Sequence, residues 1–321
     1  VTFVAQSMAR AGAARRVPAA FGPLTALVGD PAVTDVFVNP DGTVWADRGG
    51  GAIREHALLL AADGARELAV RLISTGGRHV DEATPCGDVR LGDGIRVHAV
   101  LPPVSGGGTA LSIRVPGPSQ PTLTELESRG FFDPGDADRV RELVGSRANV
   151  LVSGAAGSGK TTLLAALLAA APAHERIVVI EDVAELRIDH PHVVTLEARQ
   201  PNLEGAGAVP LDRLVREALR MRPDRLVVGE CRGAELRELL GALNTGHDGG
   251  AGTVHANSLA DVPARLEALG VLCGLSPGAV ARQAVSAIDA VLHVERTDRG
   301  RRLAAIGALS LDRRGRLASR R

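Results

Sequence analysis

Apolar and polar positions give the two halves of the chain different rhythms. In the first half, short β-rich runs recur between Gly- and Pro-containing turns. Strands are predicted at Thr34–Asn39 and Thr43–Asp47, on either side of the hairpin signal Pro40-Asp41-Gly42. Leu68, Val70, Leu72 and Ile73 recur at helical spacing and predict a helix over Ala61–Ser74, stopped by Gly76-Gly77. Strand-like runs follow at Asp88–Leu91, Ile95–Leu101 and Thr109–Val115. The second half alternates apolar strands (Asn149–Ser153, Ile177–Glu181, Leu226–Gly229, Ala251–His255, Ala287–Val294, Leu303–Leu309) with helices at Lys160–Ala171 and Leu211–Met221. That alternation predicts an α/β domain, a mostly parallel sheet with helices on both faces. Between the halves, Pro116-Gly-Pro-Ser-Gln-Pro121 can continue neither element. The expected organisation is a smaller α+β domain over 1–115, a linker over 116–122 and the α/β domain over 123–321.

Composition narrows the function. With 45% hydrophobic and 23% charged residues, the chain is neither disordered nor fibrous. Its 37 basic and 37 acidic side chains cancel, which argues against a protein that coats nucleic acid. Aromatics make up 2%, with no Tyr and one Trp (Trp45), so base-stacking platforms are not expected, and neither is direct nucleic-acid binding. Cys86, Cys231 and Cys273 form no CxxC pair, which disfavours a disulfide scaffold and a four-thiolate zinc site and fits a reducing compartment. The longest apolar stretch, Leu163 to Ala173, is interrupted by Pro172 and falls short of the roughly 20 residues that span a bilayer. The first residues lack the basic start and long apolar core of a signal peptide, so a cytoplasmic location is expected. The Arg-rich end (Arg296, Arg299, Arg301, Arg302, Arg313, Arg314, Arg316, Arg320, Arg321) reads as a solvated tail.

Of the 37 basic residues, 36 are Arg, and the single Lys is Lys160. An Arg bias with abundant Ala, Gly and Val reflects GC-rich coding, so the Lys that persists points to an amine needed as an amine. It lies in Gly154-Ala155-Ala156-Gly157-Ser158-Gly159-Lys160-Thr161, an ungapped G-x-x-x-x-G-K-[ST] between a predicted strand and a predicted helix, with Thr162 next. Such glycines let backbone N–H groups turn inward around phosphates, Lys160 reaches the β and γ oxygens, and the Thr161 hydroxyl can ligate Mg²⁺. The motif implies ATP or a similar triphosphate with Mg²⁺. Two later strands end in acids, Glu181 (followed by Asp182 and Glu185) and Glu230, placed to hold the metal or orient water. His247 and His255 bracket a Gly-rich stretch. No third and fourth ligands lie nearby to make zinc plausible, so these histidines are better read as sensing or polarising the γ-phosphate.

These motifs together resemble the secretion ATPases of bacterial type II and type IV systems, and most closely the Tad/Flp pilus-assembly, conjugal-transfer-associated branch. Ile180-Glu181-Asp182 with Glu185-Leu186 matches that family's acidic box. Arg222-Pro-Asp-Arg225-Leu-Val-Val-Gly-Glu230-Cys-Arg232-Gly233 matches its Walker B segment. Thr245-Gly-His247 through His255-Ala-Asn-Ser258 matches its histidine box, and Asp81-Glu-Ala-Thr-Pro and Arg90 to Val100 resemble its amino-terminal domain. The tetracysteine module of the type II branch is missing, which favours the type IV or Tad side. The resemblance implies a RecA-like P-loop core and ATP hydrolysis by a homo-hexamer, with Arg96 and Arg114 contributing to the phosphate site. It also implies peripheral association with the inner face of the cell membrane, where inner-membrane platform proteins of a pilus or secretion machine would be the partners. Two other classes stay open. A nucleotide-binding scaffold with little turnover would be expected to lose Glu230 or the histidine box, and neither is lost. A DNA-translocating motor would want basic or aromatic pore loops, and the second half is poor in aromatics.

Overall fold

Alternation of apolar and polar residues along short strands builds the first of two units, Val1–Ser119 and Gln120–Arg321. The computed structural model describes residues 19–92, 94–115, 120–199, 207–298 and 300–321, so residues 116–119 of the expected linker lie outside the described residues. After a short helix α1 (Thr25–Gly29) come β1 (Asp35–Val38), β2 (Thr43–Asp47), β3 (Ala52–Leu59), helix α2 (Ala62–Thr75), β4 (Cys86–Leu91), β5 (Ile95–Val100) and β6 (Ala110–Arg114). The strands form one antiparallel sheet in the order β3-β2-β1-β6-β5-β4. One face buries Val36, Val97, Ala99, Leu111 and Ile113 with Leu68, Leu72 and Ile73 of α2. The other face carries the intervening residues, as the period of two requires, so Arg96 and His98 turn away from that core.

The second unit opens with α3 (Leu123–Ser128), fixed by a capping box in which Thr122 and Glu125 satisfy each other's backbone N–H. Then follow α4 (Asp136–Gly145), β7 (Val150–Gly154), α5 (Lys160–Ala169), β8 (Ile177–Glu181), β9 (Val193–Glu197), α6 (Leu211–Leu219), β10 (Arg225–Val228), α7 (Glu235–Leu243) and β11 (Ala251–His255). The chain ends with α8 (Val262–Leu272), α9 (Pro277–Ala287), β12 (Ala290–Thr297), β13 (Gly300–Leu311) and β14 (Leu317–Arg320). The sheet order is β14-β13-β12-β7-β11-β10-β8-β9. Its strands run parallel from β12 to β9, with β13 and β14 antiparallel at one edge.

Every residue of β7, β8 and β10 is buried. That is why these strands read as unbroken apolar runs: helices cover both faces. Leu151, Val178, Ile180, Leu226 and Val228 face α6 to α9, while Val150, Val152, Ile177, Val179 and Val227 face α3 to α5. The apolar run of α5 belongs to this interior, with Leu163 through Leu168 all buried. Among the described residues, no single helix is long and apolar enough to cross a membrane. The Arg-rich end is not a solvated tail. It forms the last two strands, and Arg302 pairs across the hairpin with Glu295 at 2.7 Å.

At the amino ends of the parallel strands lies a buried ion pair. Arg225 Nε and Glu175 Oε2 are 2.5 Å apart, and each side chain is 4% exposed. Arg225 also donates to the Val144 carbonyl at 2.8 Å, and Arg147 approaches Glu175 at 3.7 Å. Removing one partner leaves a charge buried without compensation. Glu175→Ala is therefore expected to destabilise the protein by about 3–5 kcal/mol, read by urea unfolding; a loss below about 1 kcal/mol, the scale of a surface pair, would contradict this account.

Candidate nucleotide site

The loop between β7 and α5 is shaped by its glycines. Gly157 and Gly159 hold φ of 69° and 105°, in the left-handed region that favours glycine. A Cβ on Gly154 would lie 2.3 Å from the Val294 carbonyl oxygen and 2.5 Å from Ser158 Oγ, so the loop and β12 meet backbone to backbone. The Lys160 ammonium is folded into this loop and donates to the Gly154 and Ala155 carbonyls, each at 2.9 Å. Burial lowers the Lys160 pKa, while the negative charges of Glu230 and Glu185 oppose that shift. The Ser158 hydroxyl is buried without a hydrogen-bond partner among the described residues. An orphaned polar atom inside a loop whose following helix presents free N–H groups fits an oxygen-rich anion. Ala155 and Ala156 are exposed at the loop's rim, and Thr161 and Thr162 are half-buried in the first turn of α5.

Parallel register brings the acids to the same end of the sheet. His255 is paired with Gly154, and Val228 with Ile180, so the residues after β8 and β10 emerge beside the loop. Glu181 is buried, and its Oε1 accepts from the Glu185 and Leu186 N–H groups at 2.9 and 3.0 Å. A Cβ on Gly229 would sit 2.6 Å from Glu181 Cγ, so that glycine lets Glu181 lie across the end of β10, next to Glu230. Glu230 is held by Arg232, with Nη2 and Oε2 at 2.6 Å. That hydrogen bond is the main cause of the raised Arg232 pKa, to which the charges of Asp182 and Glu185 add. Glu235 in turn accepts from the backbone N–H groups of Arg232 and Gly233 at the start of α7. Arg232 stands in the sequence two residues after Glu230, but nothing in the motif assigns it this hold.

The two histidines part company. His255 ends β11 beside the loop, whereas His247 lies before β11, where its N–H reaches back to the Ala242 carbonyl at 3.4 Å. At about 3.3 Å per residue, β11 alone separates those ends by roughly 13 Å. The neighbouring Asp248 carbonyl takes a hydrogen bond from Arg147, at the amino ends of the strands. Of these two histidines, only His255 shares the phosphate loop's end. In the first unit, Arg96 pairs in register with Arg114 and with Arg90, and Arg114 with Asp35. Three adjacent guanidinium groups repel one another unless an anion or acid compensates them. Arg90 is a member that sequence reasoning left without a role, because register is not visible in a single strand.

Among the described residues, no cluster of three or more His, Cys, Asp or Glu side chains forms a metal cage. Thr161, Glu181 and Glu230 fit a cation that arrives on nucleotide phosphates, since Mg²⁺ commonly takes one or two carboxylates and completes its shell with phosphates and water.

A glycine-lined strand-to-helix loop with acid-tipped neighbouring strands defines a RecA-like P-loop protein. The family model "Type II/IV secretion system protein" matches residues 19–297, and the chain belongs to that family. It is an ATPase of this family. It is 50% identical over 295 residues to a putative conjugal transfer protein of Mycobacterium tuberculosis, covering 90% of this chain and 84% of that one. It is 32% identical over 282 residues to the conjugal transfer protein TrbB of Rhizobium radiobacter, covering 85% and 83%. The fold is shared with the Legionella pneumophila ATPase DotB, at a TM-score of 0.60 and 19% identity over 97% of this chain and 81% of that chain.

Just behind the loop, Ser153 Oγ and His293 Nδ1 are 2.9 Å apart, and His293 is 5% exposed. Burial lowers the His293 pKa, partly opposed by the Glu295 charge. On acidification the unfolded chain therefore takes up this proton first, from about pH 6.5 downwards. The contribution is complete above that pH and is lost as pH falls toward the lower folded value. His293→Gln should flatten the fall in melting temperature between pH 7 and 5; an unchanged slope would show that His293 does not titrate on unfolding.

Proposed function

We propose that this chain is the hexameric motor that powers a Tad/Flp-type pilus or a type IV secretion, conjugal-transfer-like machine. It would act at the inner face of the cell membrane against inner-membrane platform proteins. Family membership and the conjugal-transfer names of two relatives support the machine class. The observation that carries the motor reading is that Glu230 shares one end of the sheet with Lys160 and is already paired with Arg232. A scaffold without turnover has no use for a carboxylate poised there.

In this reading, the nucleotide phosphates replace the Gly154 and Ala155 carbonyls as partners of the Lys160 ammonium. The loop N–H groups and the Ser158 hydroxyl take the β-phosphate. Thr161, Glu181 and Glu230 would hold Mg²⁺, which would supply charge neutralisation to the phosphates. Glu230, released from Arg232, orients the attacking water and draws off its proton as the bond from γ-phosphorus to the bridging oxygen breaks. His255, paired in register with Gly154, is assigned to sense the γ-phosphate, and the family resemblance implies Arg96 and Arg114 as further phosphate ligands. His247, expected to share this role, lies before the opposite end of β11 and is given no part at this loop.

Glu230→Gln keeps the side chain's shape and removes its charge. Turnover should fall by about 100-fold or more while labelled ATP still binds. In the host cell, the extracellular product of the machine should disappear while the protein's level holds. Turnover near the parental rate, or lost nucleotide binding, would overturn Glu230's role.

A further inference from the structure

An arginine that no nucleotide motif contains lies against the phosphate loop. Arg301, the second residue of β13, donates from Nε to the Gly157 carbonyl at 3.1 Å. Its Cδ is 3.2 Å from where a Cβ on Gly159 would be. The neighbouring Arg302 is taken by Glu295, but among the described residues no carboxylate pairs with Arg301. Its side chain is exposed, and one of its five N–H donors is committed to the loop.

Sheet order says which part of a nucleotide this guanidinium meets. Glu181, Glu230 and His255 follow or end β8, β10 and β11, all on one side of β7, while β12 and β13 lie on the other. The γ-phosphate, as the reacting group, turns toward the acids. The nucleoside end therefore runs toward β12 and β13. Aromatic partners for a base are scarce there: Phe131 and Phe132 are the only aromatic residues from Gln120 onward. An arginine plane can stack on a base and also donate to phosphate and ribose oxygens, so one residue can serve where aromatics are missing.

We propose that Arg301 is a nucleotide-binding residue that contacts the nucleoside end of ATP, beyond the β-phosphate, while its Nε stays anchored on Gly157. This rests on the assignment of the phosphate loop as the ATP site. It predicts that the chain distinguishes a nucleotide from a bare polyphosphate through this side chain.

The test is titration calorimetry of the full chain with ATP, ADP and inorganic tripolyphosphate, together with steady-state hydrolysis, for the parent, Arg301→Ala and Arg301→Lys. Arg301→Ala should weaken ATP and ADP by about tenfold or more, the scale of one charge-assisted hydrogen bond, and raise KM with kcat within about twofold. Its affinity for tripolyphosphate should match the parent's. Arg301→Lys should not restore ATP affinity, because lysine lacks both the Nε–H for Gly157 and the planar face. An exposed side chain leaves no cavity on truncation, so the melting temperature should not move. Equal losses for tripolyphosphate and ATP would overturn the proposal and make Arg301 a support of the loop alone, and so would unchanged ATP affinity. A parent that binds neither ATP nor tripolyphosphate would instead overturn the loop assignment itself, and this inference with it.

Discussion

A glycine loop shaped to hold one ammonium sets what the second unit must provide around it. Lys160 is 9% exposed and held by two backbone carbonyls. Its burial costs hydration, and the acids arranged around it offset part of that cost. For the loop to close around it, Gly157 and Gly159 must take left-handed backbone angles, and Gly154 must admit the Val294 carbonyl. For the loop to be steady, β7 must be buried on both faces, which requires the helices of both layers. The apolar strands and the polar site are thus two consequences of one requirement.

The two ends of the parallel sheet divide the work. At the amino ends, Glu175 and Arg225 form a closed pair with little exposure, suited to fixing strand positions. At the carboxyl ends, Glu230 and Arg232 form a pair that is partly open to solvent, with side chains 31% and 60% exposed. A closed pair resists rearrangement, whereas an open one can exchange partners when phosphate arrives. Glu235 keeps Arg232 in reach by fixing its backbone rather than its guanidinium. The difference in burial separates what holds the sheet from what can respond to a ligand.

The phosphate loop was legible in the sequence because its chemistry is contiguous, from Gly154 to Thr161, and because β7 and α5 flank it with strong apolar signals. Glu181 and Glu230 were legible as acids ending buried strands. Other parts were hidden for physical reasons. β3 is largely exposed and β9 half exposed, so neither shows the apolar run of a buried strand. His247 and His255 look like a pair in sequence, but an extended β11 carries them to opposite ends. Arg90 joins Arg96 and Arg114 only through cross-strand register. Arg301 reaches Gly157 across 144 residues of chain, and a local reading of the Arg-rich end could see only its charge.

The central claim is that the Lys160 amine exists to meet phosphate, and that the fold does not need it. Steady-state phosphate release by purified Lys160→Ala, with its melting temperature recorded without nucleotide, tests this most directly. Hydrolysis should fall to background while the melting temperature stays at the parental value. Hydrolysis at the parental rate, or a variant that fails to fold, would contradict the account.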